Sequence, residues 1–267
     1  MDYTLVEIEL ILESDSSALR DISFKVNPGE KIGICGRTGR LVFYVFSTFF
    51  SFLQKPAHKP PSGKSTLLSV LLRILNITHG TILIDDFPLS EIPRSTIRSR
   101  LITIPQEPFI LSGSVRYNLD PSTLIRDSRI ITALQKVGLW DLLSERGGLE
   151  ALMTDNPLSQ GQQQIFCLAR AMLRLGDGEG KDRGRGKIMV LDEATSNVDA
   201  ETDALMQKLI KEEFAECTIL TVAHRLDTIA DSDRVAVLDG GRLVEFDRPE
   251  VLMEREGSLF SELRGGK

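Results

Sequence analysis

Short apolar runs that read as strands alternate along this chain with longer segments of helical period, and that alternation restricts the fold more than any other feature. "KIGIC" (31–35), "GTILIDD" (80–86), "RLITIPQ" (100–106), "KIMVLD" (187–192) and "CTILTVAH" (217–224) are strand-like. "KIMVLD" reads as the most buried of them, as a central parallel strand covered on both faces should. Between them lie helical patterns: one from about Lys64 to Leu75, the amphipathic "DSRIITALQKVGLWDLLSERG" (127–147) within a helical stretch from about Ser112 to Asp155, and "SQGQQQIFCLARAMLR" (159–174), which opens on a serine able to cap it. "ALRDISFKV" (18–26) alternates as a half-buried strand before the turn "NPGE", and "DRVAVLDGGRLVEFD" (233–247) completes the set. The class is α/β with a largely parallel sheet. No internal repeat is visible.

With 267 residues, 42% of them hydrophobic, the chain can bury a large core as one domain or two packed subdomains. A net charge of −6 gives no broad positive footprint, so nucleic acid is not expected as a partner. Cys35, Cys167 and Cys217 are too widely spaced for a metal site and read as buried thiols. The most apolar run, "LVFYVFSTFFSFL" (41–53), has 13 residues with three Ser/Thr hydroxyls, short of the roughly 20 a spanning helix needs. No amino-terminal signal pattern is seen, and a soluble chain is expected.

"KIGICGRTG" begins like a phosphate-binding loop, stops at Gly39, and resumes at Ser62 as "SGKSTLL". Joined, the pieces give G-R-T-G-S-G-K-S-T, the G-x-x-x-x-G-K-[ST] motif between a strand and a helix. In that motif the backbone N–H groups of Gly36, Arg37, Thr38, Gly39, Ser62, Gly63, Lys64, Ser65 and Thr66 surround phosphates, Lys64 reaches the β/γ oxygens, and Ser65 ligates Mg²⁺. Downstream, "KIMVLDEATSNVD" delivers Asp192 and Glu193 at the carboxyl end of a strand. Asp192 suits hydrated Mg²⁺, and Glu193 suits polarising a water for in-line attack on a γ-phosphate.

With these residues in place, "LSQGQ" (158–162) makes the chain resemble the nucleotide-binding domain of ATP-binding cassette (ABC) proteins, whose signature is usually LSGGQ. Gln106 in "ITIPQEP" matches the family's Q-loop, Asp199 ends its D-loop "SNVD", and His224 in "TVAHRLDTI" matches its switch loop. The resemblance implies a P-loop NTPase of the ABC type spanning residues 1–267. It would have a RecA-like core sheet and an antiparallel β-subdomain at about 1–106 and 175–267, and a helical signature subdomain at about 107–174. "GSVRYNLDP", "KVGLWDLL" and "DEATSNVDAETDALMQ" resemble the second such domain of subfamily C exporters, especially fungal ones.

The resemblance further implies that two domains pair head to tail. Leu158, Ser159, Gln160, Gly161 and Gln162 would then serve the partner's ATP, with the positive end of the signature helix toward its γ-phosphate. Gln106 would sense Mg²⁺ and the attacking water, and His224 would hydrogen-bond the γ-phosphate. ATP hydrolysis would drive export through transmembrane domains outside this chain, at the cytoplasmic face of a membrane. The other readings are a nucleotide-binding regulatory half that does not hydrolyse, a soluble ABC protein of DNA repair or translation, and an inactive product of a fragmentary gene model.

Two departures stand out. The family's adenine-stacking aromatic falls at Ile11, with Tyr3 and Phe24 the nearest aromatics, so roughly 1–3 kcal/mol of stacking is missing if neither substitutes. The second is residues 40–61, which hold five of the twelve Phe and no acid, and end in "KPAHKPP". Gly39 and Ser62 should be neighbours about 3.8 Å apart. Twenty-two codons are 66 nucleotides, which keeps the frame, and a pyrimidine-rich tract translates into such Phe, Ser, Leu and Pro. A translated intron explains the segment; a lineage-specific loop, even a membrane-touching hairpin, is the alternative. "LGDGEGKDRGRGK" (175–187) has the composition of a surface loop.

Overall fold

The computed structural model describes residues 8–12, 19, 22–37, 63–77, 80–154, 157–176, 184, 186–195 and 198–265. The chain divides into two compact units, the first formed by residues 1–101, 186–193 and 217–267, the second by 102–185 and 194–216. This partition assigns 194–216 to the second unit, beyond the 107–174 expected for the helical part.

In the first unit, β1 (Ile8–Leu12), β2 (Ile22–Val26), β4 (Thr81–Ile84) and β5 (Phe87–Pro88) form an antiparallel sheet in the order β2-β1-β4-β5. The alternation read in "ISFKV" is realised in β2, where Ile22, Phe24 and Val26 are buried and Ser23 and Lys25 exposed. The core sheet of this unit runs β10-β9-β3-β8-β7. Its strands β3 (Lys31–Gly36), β7 (Ile188–Asp192), β8 (Thr218–Val222) and β9 (Arg234–Asp239) are parallel, and β10 (Arg242–Asp247) closes it as an antiparallel hairpin. All five residues of β7 are buried, as its uninterrupted apolar sequence requires.

Period two sends β3 and β9 side chains to opposite faces. Ile32, Ile34, Ala236 and Leu238 join one cluster with Leu67, Leu68 and Leu71 of α1 (Gly63–Leu71). Cys35, Val235 and Val237 join another with Leu252 of α8 (Pro249–Glu254) and Phe260 of α9 (Leu259–Gly265). Helices thus cover both faces of the sheet. Helix α1 ends at Leu71, short of the expected Leu75. Arg73 turns to φ 51°, and the N–H groups of Ile74 and Leu75 fold back onto the Ser69 carbonyl (2.9 and 3.2 Å). The Arg73 guanidinium is held by the Ile92 carbonyl (2.6 Å), just before α2 (Arg94–Arg100). Gly36 admits no side chain: a Cβ there would lie 1.8 Å from the Leu238 carbonyl oxygen.

The second unit follows β6 (Leu101–Ile104), which begins at the division. It contains α3 (Val115–Leu119), α4 (Asp127–Lys136), α5 (Trp140–Glu145), α6 (Gln160–Leu173) and α7 (Ala200–Glu213). The single amphipathic piece expected over 127–147 is two helices. Gly138, at φ 71°, donates to Gln135, and Leu139 donates to Leu134, so the chain leaves α4 by the left-handed turn that glycine supplies. Helix α6 is the unit's axis, with Gln164–Ala169 and Ala171–Leu173 buried. Its carboxyl end is capped by Arg129, which donates to the carbonyls of Leu173 (2.9 Å) and Gly176 (2.6 Å). Cys35, Cys167 and Cys217 are buried thiols, as expected.

Candidate functional site

In parallel strands every carboxyl end faces the same way, and in the first unit three neighbouring ends carry the expected chemistry. Ile34 of β3 is in register with Val222 of β8, which is in register with Asp192 of β7. One to three residues further on, the chain supplies Gly36 and Arg37, His224, and Glu193 from adjacent positions along one sheet edge. The N–H of Ala223 donates to Ile34 (3.0 Å) and that of Glu193 to Val222 (3.0 Å), so the strand pairing continues into the loops that carry these candidate residues.

Glu193 is buried and holds φ 49°, a left-handed conformation that a non-glycine residue adopts at a cost. Its Oε1 lies 2.5 Å from Nε2 of His224, with side-chain exposures of 5% and 33%. The two residues expected to act on the attacking water and the γ-phosphate are therefore in contact. The buried Asp192 sits one residue before, at the strand end. Arg37 pairs with Glu262 of α9 (2.9 Å) across solvent. Gly63, Lys64, Ser65 and Thr66 form the first turn of α1; Thr38, Gly39 and Ser62 lie outside the described residues, as does the insertion 40–61. Ile11 pairs with Ser23 and Thr81 in the β1 ladder, while Tyr3 lies outside the described residues. Phe24 is not available for a base: it is buried, with its ring 5.1 Å from that of Phe246.

In the second unit the signature starts a helix. Ser159 caps α6: its Oγ accepts from the Gln162 N–H (3.3 Å), and its own N–H donates to Gln162 Oε1 (3.0 Å). This reciprocal box satisfies two helix-start donors and leaves Ser159 and Gln160 exposed, with Leu158 buried behind them. Asp199 caps α7, accepting from the N–H groups of Glu201 and Thr202 and from the Thr202 hydroxyl. The backbone N–H of Thr202, then its hydroxyl, hold the Asp199 carboxyl below the usual carboxylate range. A Cβ on Gly161 would stand 3.5 Å from Thr202 Oγ1 and 3.6 Å from Asp199 Oδ2, so signature and D-loop adjoin within this unit. Gln106, half-buried, follows β6.

One buried polar residue here was not anticipated. Gln164 donates through Nε2 to the carbonyls of Pro105 (3.1 Å), Gln106 (3.0 Å) and Ala194 (2.8 Å). The sequence did carry a signal: Gln164 shares a helical face with Leu168 and Ala171, at i+4 and i+7, and so reads as buried.

The ABC transporter family model matches residues 59–196, from just before Ser62 through Asp192 and Glu193. The chain belongs to the ABC transporter family. The match begins inside the insertion, so the first half of the split loop lies outside it. ABC multidrug transporter B of Aspergillus fumigatus is 45% identical over 245 residues, covering 92% of this chain and 15% of that protein. ATP-binding cassette sub-family C member 10 of Mus musculus is 41% identical over 249 residues, covering 92% and 14%. ABC transporter C family member 5 of Dictyostelium discoideum is 40% identical over 249 residues, covering 92% and 15%. The chain thus spans about one seventh of the length of these relatives. Among solved structures, a bacterial Atm1-family ABC exporter with ATP bound superposes with a TM-score of 0.77 at 24% identity, over 98% of this chain and 42% of that one. The fold is that of an ABC ATPase, and its mixed parallel and antiparallel sheets with covering helices agree with the expected class. Fungal ABC transporters and subfamily C members among the relatives agree with the resemblance read from the sequence.

Proposed function

We propose that this ABC domain binds ATP with Mg²⁺ and hydrolyses it to power export, as the second nucleotide-binding domain of a subfamily C transporter. The 2.5 Å contact between Glu193 and His224 at the ends of β7 and β8 carries the reading. A carboxylate held in contact with an imidazole is suited to orient a water, and a regulatory half that does not hydrolyse has no need of the pair. Ser65, Gln106 and Asp192 offer a hydroxyl, an amide oxygen and a carboxylate, hard donors of the kind Mg²⁺ prefers. Bound there, Mg²⁺ would neutralise charge on the β- and γ-phosphates. Lys64 and the N–H groups of the first turn of α1 would bind the phosphates, with Gly36, Arg37, Thr38, Gly39 and Ser62 completing the loop.

A single copy is incomplete on this reading. The exposed cap at Ser159 and Gln160 would meet the nucleotide of a second domain head to tail, and Asp199, beside Gly161, would belong to the same surface. Transmembrane domains and a place at the cytoplasmic face of a membrane follow from the exporter assignment; among the described residues no helix is long and apolar enough to cross a membrane. Residues 40–61 support a second reading, an inactive chain, because they separate loop residues that must converge on one phosphate.

The test is ATP hydrolysis at high protein concentration by this chain and by a version lacking residues 40–61, each with Glu193→Gln as control. Hydrolysis by the shortened chain is expected, falling by roughly 10²–10⁴-fold in Glu193→Gln. Equal activity in the full chain would make the segment a tolerated loop. Activity in neither, or activity indifferent to Glu193→Gln, would sink the hydrolytic assignment.

A further inference from the structure

We infer that Gln164 is a positioning residue for hydrolysis, acting through the backbones of the Q-loop and of the segment that leaves Glu193; the inference rests on the hydrolytic reading above. Gln164 lies in the second turn of α6 and is 2% exposed. Its Nε2 carries two hydrogens and faces three carbonyls, so they share a forked pair of bonds. Two of the carbonyls, Pro105 and Gln106, belong to the stretch after β6. The third, Ala194, is peptide-bonded to Glu193. One amide thus fixes to the signature helix both the Q-loop glutamine's backbone and the residue that follows the acid in the chain.

The rest of the loop is secured from the same helix and its neighbour. Arg170, two turns further along α6, donates to the Phe109 carbonyl (3.0 Å) and the Asn118 carbonyl (2.7 Å). The Asn118 side chain grips Leu111 at both its N–H (2.7 Å) and its carbonyl (2.9 Å). Residues 105–111, which have no ladder or helix of their own, are therefore held at four carbonyls and one N–H within the second unit. Packing alone does not account for Gln164. An apolar residue of the same length would fill its space, and the amide leaves Oε1 buried without a hydrogen-bond partner. A native structure tolerates such an orphan where the other end of the group has a task.

The task is donation, and substitutions separate it from size. Gln164→Met and Gln164→Glu match the length and remove the donor; Gln164→Lys keeps a donor and discards the acceptor. Each is made in whichever chain of the preceding experiment is active, with ATP turnover, thermal unfolding and amide exchange of the non-proline residues of 105–111 and of 194–195 recorded. Met and Glu should lower kcat about tenfold with KM for ATP within about twofold, and speed local exchange about tenfold while leaving the rest of the chain unchanged. Lys should restore both to within about threefold. Unchanged exchange in Met and Glu, or turnover that falls only with the folded fraction, overturns the proposal. If neither parent shows Glu193-dependent turnover, the hydrolytic reading fails and the role in turnover fails with it; the exchange measurements still decide whether the amide tie exists.

Discussion

Glu193 holds a backbone conformation that suits asparagine or glycine better than glutamate. The chain keeps a carboxylate there at a conformational cost of about 1–3 kcal/mol, which is the pattern of a residue retained for chemistry. Replacing it by Asn should therefore raise stability by about 0.5–1 kcal/mol in thermal unfolding while removing turnover, an exchange of function for stability. Asp199 supplies a pH dependence. Its folded-state pKa is depressed by the N–H and hydroxyl of Thr202, so its contribution is present above the ordinary carboxylate range and is lost as pH falls through the folded value. Melting temperatures of the parent and Asp199→Asn, which keeps a neutral acceptor, should converge as acid is added and separate toward neutral pH. A gap constant with pH would show that the carboxylate charge is irrelevant to the cap. Neither property could be read from composition, because one is a backbone dihedral and the other depends on which N–H groups the folded backbone points at a side chain.

At the scale of elements, strands were the most legible part. Runs such as "KIMVLD" and the alternation in "ISFKV" encode burial directly, and β7 and β2 occupy them with the expected faces. The Ser159 cap was legible for the same reason, since serine before a helical pattern has few other uses there. Helix ends were less so. Gly138 sits inside a pattern whose apolar spacing continues across it, and only its φ of 71° reveals that α4 stops there. A Cβ at Gly138 would meet nothing within 4 Å, so Gly138→Ala should cost only the left-handed backbone term, about 1–2 kcal/mol by denaturant unfolding, and Gly138→Asn less. In α6 the cost is of another kind. Phe166 is fully buried, with the Arg170 guanidinium 5.7 Å above its ring, and Phe166→Ala should lose about 3–5 kcal/mol. The contact between Glu193 and His224 was out of reach of any pattern: 31 positions separate them, and only the register of β7 with β8 brings them together.

For the molecule as a whole, the proposal that one copy is incomplete is itself testable. If catalytic acid and signature serve opposite sites, Ser159→Arg and Glu193→Gln should each be inactive alone. Mixed in equal amounts they should recover about a quarter of parental hydrolysis, because half the pairs are mixed and each mixed pair has one intact site. No recovery on mixing would mean that each copy works alone or that pairing does not occur. The buried cysteines offer a different use. Cys35 and Cys217 belong to the first unit and Cys167 to the second, and all three are sheltered in the fold, with burial pushing the Cys167 thiol upward and making it less reactive. A thiol reagent should thus find nothing to modify until the protein opens, and the order in which the three become labelled would time the loosening of each unit without any probe being added.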